Sequence, residues 1–360
     1  MSNVLVVLGA TGNQGRAVLT YFQQHEPSYK LRGTSRNPSS DAAITLAKSG
    51  IEIVKADLND LDSLKHAFQD ATVIFAYTAG SEILQSSNLI PKVMSGELKP
   101  PVGQYAYEIE VQQGKNVADA AATIPTLHRL VWSSLTDVRG RSHGKYVQAY
   151  HLDSKYTVWQ YMRNLPELKD KASAVLMGGF MDNLANTPQQ WGISRVSCDS
   201  CSVCHSQGID SVPAQQTNGD FLVSLPLQKD YPIPWVDVER DTGAFVHALT
   251  KASAGTHVLG VSEWLGTGKY LELLFDHLEV KGQFQDISFE AAVQDDPLGL
   301  KLQFAEGFRF AEEFGYTGGD PEVVSPDDLE KQGFSIPRSK IIDHIKRTDW
   351  SKFLGTKPAA

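Results

Sequence analysis

Short apolar runs alternate with amphipathic stretches along the first half of the chain. "VLVVL" at 4–8 is rich in β-branched residues, carries no charge and runs into a glycine. That is the pattern of a parallel strand buried on both faces. "NQGRAVLTYFQQHE" follows, with Val18, Leu19 and Phe22 at helical spacing. The same rhythm predicts strands in "YKLRGTSR", "IEIVKADL", "TVIFAYT", "HRLVWSSL" and "ASAVLMGG". It predicts helices in "DAAITLAKSG", "DLDSLKHAFQDA", "QQGKNVADAAATI" and "DSKYTVWQYMRNL". Strands alternating with helices in this way predict an α/β fold with a doubly wound parallel sheet.

Two stretches break the rhythm. Residues 80–106 are polar and carry three prolines, which predicts a lid or a loose loop. Residues 192–220 are rich in Ser, Cys, Gln and Gly. From about residue 181 the alternation weakens, so the chain divides into 1–180 and a smaller C-terminal α/β lobe over 181–360. Within that lobe, about 233–262 reads as a return to the core. There "PIPWVDVERDTGAFVHALT" is a short edge segment followed by a helix. "YLELLFDHLEV" and "LKLQFAEGFRFAEEFGY" are amphipathic helices of the lobe, and "SKIIDHIKRTDWSKFLG" is a last helix and tail.

Charge narrows the function classes. Asp and Glu number 42 against 33 Lys and Arg, a net charge of -9. No block of basic residues breaks this balance, so direct nucleic-acid binding is not expected. The N-terminal apolar run is too short for a signal peptide, and no stretch is long enough to span a bilayer. A soluble, cytoplasmic protein with a small-molecule partner is expected.

The first turn carries chemistry. "LGATGNQGRAV" places Gly9, Gly12 and Gly15 between a strand and a helix, with Thr11, Asn13 and Gln14 among them. The first glycine permits the sharp turn, the second lets backbone approach a pyrophosphate, and the third lets helix pack on strand. The helix N-terminus then presents its positive dipole end to phosphates. An NAD site wants an acid at the end of the second strand, whereas here "GTSRNPSS" offers Arg36. Arg36 suits a 2′-phosphate, with Thr34, Ser35 and Asn37 as further donors, so the cofactor is expected to be NADP(H). Asp57 and Leu58 would flank the adenine, and Thr78, Ala79 and Gly80 the nicotinamide side.

Together "VLGATGNQGRAV", "GTSRNP", "VKADLND", "QGKNVADAA", "LVWSSL", "HLDSK", "GGFMDNL" and "PIPWVDVERDTGAFV" resemble the NmrA-like family of atypical short-chain dehydrogenases, from residue 4 to about 246. The resemblance implies a Rossmann domain with a smaller C-terminal lobe over the cofactor cleft. It implies one of two activities. Some members are NADPH-dependent reductases that rely on a Lys near the nicotinamide, fungal ones serving secondary metabolism. Others are NADP-sensing regulators that bind a partner protein, for which a nuclear location also fits. The Tyr that short-chain dehydrogenases place four residues before their Lys is absent here, and His151 stands there, as in the NmrA-like pattern.

On a helix, His151 and Lys155 share one face. Lys155 would hold the ribose hydroxyls, and His151, with a side chain that titrates near neutrality, would donate a proton. Ser133 and Ser134, ending a strand, would orient substrate, and Tyr146 or Tyr150 would offer a phenol. The alternatives are a ribose-binding lysine without chemistry, a core histidine and strand-end capping serines. An NADPH-dependent oxidoreductase is the reading preferred, and the non-catalytic sensor is its alternative.

Cys198, Cys201, Cys204 and His205 carry zinc-ligand spacing, and "CSVCH" matches haem attachment. One shared cysteine and adjacent Cys204 and His205 suit a single zinc ion poorly, and a redox dithiol is a further alternative. An ordinary Cys-rich loop with no metal is the reading kept.

Overall fold

The computed structural model describes residues 3–85, 89–196 and 220–355. Its strands, in chain order, are β1 (Val4–Val7), β2 (Lys30–Ser35), β3 (Glu52–Lys55), β4 (Val73–Ala76), β5 (Arg129–Ser134), β6 (Ala172–Met177), β7 (Gly179–Phe180), β8 (Ile193–Arg195), β9 (Phe221–Leu225), β10 (Pro232–Val236), β11 (His257–Gly260), β12 (Glu263–Gly266), β13 (Gly282–Asp286) and β14 (Val323–Val324). Eight of them form a parallel sheet in the order β14-β11-β6-β5-β4-β1-β2-β3. The fold is therefore the doubly wound α/β arrangement expected.

Side-chain alternation along each strand sorts the core into two layers. Val6, Ile74 and Leu130 face one side, where they meet Val117, Val158, Trp159 and Met162 of the Val102–Ala122 and Tyr150–Asn164 helices. Leu5, Val7, Phe75 and Val131 face the other, against Val18, Leu19 and Phe22 of the Asn13–His25 helix and Phe245 and Leu249 of the Val238–Lys251 helix. The order reverses at β1, between β4 and β2. The crevice beyond the carboxyl ends of these strands is where such sheets bind ligands.

Two three-stranded sheets, β12-β10-β7 and β13-β9-β8, build the C-terminal lobe. Its core is aromatic, with Phe221, Trp235, Tyr270, Phe275, Trp350 and Phe353 packed together. Among the described residues no helix is long and apolar enough to cross a membrane.

Several elements differ from the expectation. Residues 80–106 contain the short helices Gly80–Leu84 and Leu89–Met94, and the helix expected from "QQGK" begins ten residues earlier, at Val102. Pro101, its N-cap, marks that start, because proline is compatible with the end of a helix and not with its interior. The tail forms two helices, Ile341–Arg347 and Ser351–Leu354. Strand β14 escaped notice because two residues are too short to show a period, and β11, "HVLG", because a histidine and a glycine bound its apolar pair. The cysteine cluster lies outside the described residues.

Buried histidines link this core to pH. His257 on β11 is 2% exposed, and its Nε2 has no hydrogen-bond partner. Burial pushes its imidazole down to about 4, and does the same to His151 and His344. The unfolded chain takes these protons near pH 6.5, whereas the folded chain resists them. Each histidine thus contributes stability above that pH, lost as pH falls toward 4. Asp153 and Asp182, raised by burial to about 6, act in the opposite sense below pH 6. Acidification from pH 7.5 to 6 is therefore expected to lower the urea midpoint. His257→Leu should make that slope shallower, as read by denaturation at each pH.

Candidate active site

The turn after β1 is built by glycine. Gly9 takes φ +59°, a left-handed conformation that favours glycine. A side chain at Gly15 would strike the carbonyl of Gly9, so helix and turn pack here only without a Cβ. The Asn13–His25 helix has Gly12 as its N-cap, with no side-chain cap, so no side chain satisfies its first N–H groups.

A cavity of 760 Å³ opens there, lined by Gly9, Thr11, Gly12, Arg36, Asn37, Asp57, Leu58 and Ala79 among the sequence-derived candidates, and by Thr34 and Ser35. Asn13, Gln14, Gly15, Thr78 and Lys155 do not line it. Gln14 is buried, with Oε1 lacking a partner. Arg36 Nη2 bonds Glu82 Oε2 at 2.7 Å across the mouth, and both side chains are largely exposed. Asp57 Oδ1 is engaged by Asn59, through its backbone N at 2.9 Å and its Nδ2 at 3.0 Å.

Tyr77 and Glu82 line this cavity and were missed from sequence. The Tyr77 hydroxyl donates to Gly9 O at 2.9 Å and lies where a side chain at Gly9 or Gly12 would project. Burial pushes that phenol up to about 12.

Lys155 meets the chain at Thr78, between Tyr77 and Ala79 of the cavity wall. Its Nζ donates to Thr78 O at 2.7 Å, Thr78 Oγ1 at 3.2 Å and Glu110 Oε1 at 2.6 Å. Glu110, 1% exposed, also accepts from Gly80 N at 2.8 Å and from Ser154 Oγ at 2.5 Å. Burial opposes its charge, but the Lys155 ammonium and the hydroxyls of Ser154 and Thr78 outweigh burial and hold the carboxyl below its ordinary value. Sequence reading missed Glu110. The contact exists because Gly114, one helical turn on, lets Val158 of the Tyr150–Asn164 helix approach without a Cβ in the way.

The remaining candidates are more scattered. His151 lies on the same helix as Lys155, with its ring 4.9 Å from that of Phe304. Although the residue is half-buried, its Nδ1 is out of solvent and has no partner. Burial is the main cause of its lowered pKa, so it is a neutral imidazole near pH 7. Tyr150 packs on Gly103 and stands 6.1 Å from the Tyr107 ring. Tyr146 turns outward to bond Glu313 at 3.0 Å. Ser133 and Ser134 are buried at the end of β5, where Ser134 Oγ donates to Leu135 O at 3.2 Å. Asp153, on the Tyr150–Asn164 helix, caps the turn that follows β5 by accepting from Val138 N at 2.8 Å and Arg139 N at 3.1 Å.

A second cavity, of 580 Å³, lies beyond the Gly80–Leu84 helix. Ala79, Glu82 and Ile83 line the first cavity, and Ser81, Leu84 and Gln85 line the second. This short segment is thus a wall shared by both.

The wider comparisons agree with this architecture. A relative named NmrA-like family domain-containing oxidoreductase malD, from Malbranchea aurantiaca, is 27% identical over 284 residues, covering 78% of this chain and 73% of its own length. The solved structure of a double mutant of NmrA matches with a TM-score of 0.65 at 17% identity, over 97% of this chain and 99% of that one. The NADPH-dependent quinone oxidoreductase QOR2 of Escherichia coli, solved with NADPH, matches with a TM-score of 0.59 at 15% identity, over 95% and 98% of the two chains. The family model described as NmrA-like matches residues 1–354, and the chain belongs to the NmrA-like family.

Proposed function

We propose that this protein is an NADP(H)-dependent oxidoreductase acting on a small organic substrate, of the kind handled in fungal secondary metabolism. The observation that carries the reading is Lys155, fixed by Glu110 and by Thr78, whose chain neighbours Tyr77 and Ala79 line the first cavity. One cavity has the features of a dinucleotide site. It has a side-chain-free glycine cradle, an uncapped helix N-terminus and an arginine at the end of β2. The other is apolar and adjoins the first. The naming of the malD relative as an oxidoreductase supports the same reading.

When bound, the dinucleotide supplies a hydride to the substrate or accepts one from it. The glycine turn and Thr11 would cradle its pyrophosphate, and Arg36 would exchange Glu82 for the 2′-phosphate. Lys155 would hold the ribose hydroxyls at its ammonium and set a positive charge beside the reacting carbon–oxygen bond, stabilising negative charge that grows on oxygen. Glu110 keeps that ammonium in place. His151, neutral near pH 7, would donate a ring N–H as a hydrogen bond to the same oxygen, and the proton that completes the product would come from solvent.

Arg36→Ala is expected to weaken NADPH binding by about tenfold or more while changing NADH binding little, since only NADPH carries the 2′-phosphate. Titration by nicotinamide fluorescence reads both. Equal losses for the two cofactors would assign Arg36 another role. A non-catalytic sensor is the second reading, favoured by the likeness to NmrA, solved as a negative transcriptional regulator. It requires NADP and NADPH to bind with different affinities or shapes.

A further inference from the structure

The second cavity is built for a particular chemistry. Leu84, Ile193, Leu225, Phe304 and Phe308 make its apolar walls. Among the described residues that line it there is no carboxylate. The one cation, Lys301, donates its ammonium to Gln294 O at 2.8 Å. A phosphate or carboxylate desolvated here would meet little compensating charge. Gln303 borders the cavity and is 1% exposed; its side-chain amide also hydrogen-bonds the His151 ring, and its Nε2, out of solvent, has no partner of its own. The next residue, Phe304, lies against the His151 ring. Ser81, on the opposite wall, follows Gly80, whose N–H bonds Glu110.

We propose that this cavity receives the body of a neutral, largely apolar molecule bearing a carbonyl oxygen, and that Gln303 Nε2 donates to that oxygen. Its 580 Å³ is in the range of sites for molecules of drug size. The inference rests on the oxidoreductase reading for the word substrate, but the binding itself does not require turnover.

The test uses the full chain saturated with NADPH and titrated with prodan, a neutral naphthyl ketone whose emission reports an apolar surrounding. Dimethylaminonaphthalene, which lacks the ketone, and the anion anilinonaphthalene sulfonate serve as comparison probes. Prodan is expected to saturate one site and to bind more tightly than the anion. Gln303→Leu should weaken prodan by about tenfold and leave the ketone-free probe unchanged. Ala292→Trp and Leu84→Trp, filling the cavity from different walls, should each weaken both neutral probes by about tenfold or more. NADPH affinity, measured in every variant, should stay the same and verifies the fold. No saturable prodan binding, equal or tighter binding of the anion, or indifference to both tryptophan variants would overturn the proposal. Absence of NADPH oxidation with intact, cavity-dependent prodan binding would instead count against the oxidoreductase reading alone.

Discussion

Replacing Arg347 by alanine is expected to cost about 3–5 kcal/mol of stability. Arg347 Nη2 bonds Asp237 Oδ2, and Asp237 is fully buried. Asp237 also begins the Val238–Lys251 helix, where its Oδ1 accepts from Arg240 N at 3.3 Å, while its own N–H donates to Ser262 Oγ at 2.9 Å. That helix packs on the β1 side of the sheet, so the ion pair ties the C-terminal segment to the nucleotide half. Truncating Arg347 leaves a buried carboxylate without its cation, and the penalty is mostly the charge left behind. At about 1.3 °C per kcal/mol for a chain of this length, the melting temperature should fall by roughly 4–7 °C. Asp237→Asn in the Arg347→Ala background should recover part of the loss, because the orphaned charge is then gone. A double variant no more stable than Arg347→Ala would contradict this account.

Glu110→Leu is the second large effect. It removes the anion facing Lys155 and strands the Gly80 N–H and the Ser154 hydroxyl. A stability loss of about 3–5 kcal/mol is expected from urea denaturation. Glu110→Gln keeps the shape and an acceptor oxygen, so it should fold with a smaller loss. Its kcat at saturating NADPH should still drop by about tenfold or more, because the ammonium loses the charge that positions it. A folded Glu110→Gln variant with unchanged kcat would reduce Glu110 to a packing role.

What was legible in the sequence follows from locality. The glycine turn needs no distant partner, since Gly9, Gly12 and Gly15 declare a backbone geometry by themselves. The core strands β1 and β4 are continuous apolar runs, and β5 and β6 carry apolar centres at Leu130–Trp132 and Ala174–Met177, which burial on both faces explains. Glu110 is the contrary case. In "YEIEVQQGK" it looks no different from Glu108, which is exposed. Only the packing of two helices decides which carboxylate turns inward. Gly114 was the available signal, because a glycine four residues on marks the face where another helix comes close. Arg347 lay in a stretch read as a last helix and tail, and nothing local announces a partner 110 residues away. The second cavity draws on segments from residue 81 to residue 308, so no single motif could reveal it.

The central claim is that Lys155 serves a redox site, and the direct measurement is NADPH absorbance during incubation with a panel of ketones, quinones and enones. Wild-type protein and Lys155→Ala are compared at equal NADPH occupancy. The account predicts oxidation that depends on one of these neutral substrates and falls by about a hundredfold or more in the variant. Oxidation that persists undiminished in Lys155→Ala, or no turnover across the panel by wild-type protein that binds NADPH, would contradict it.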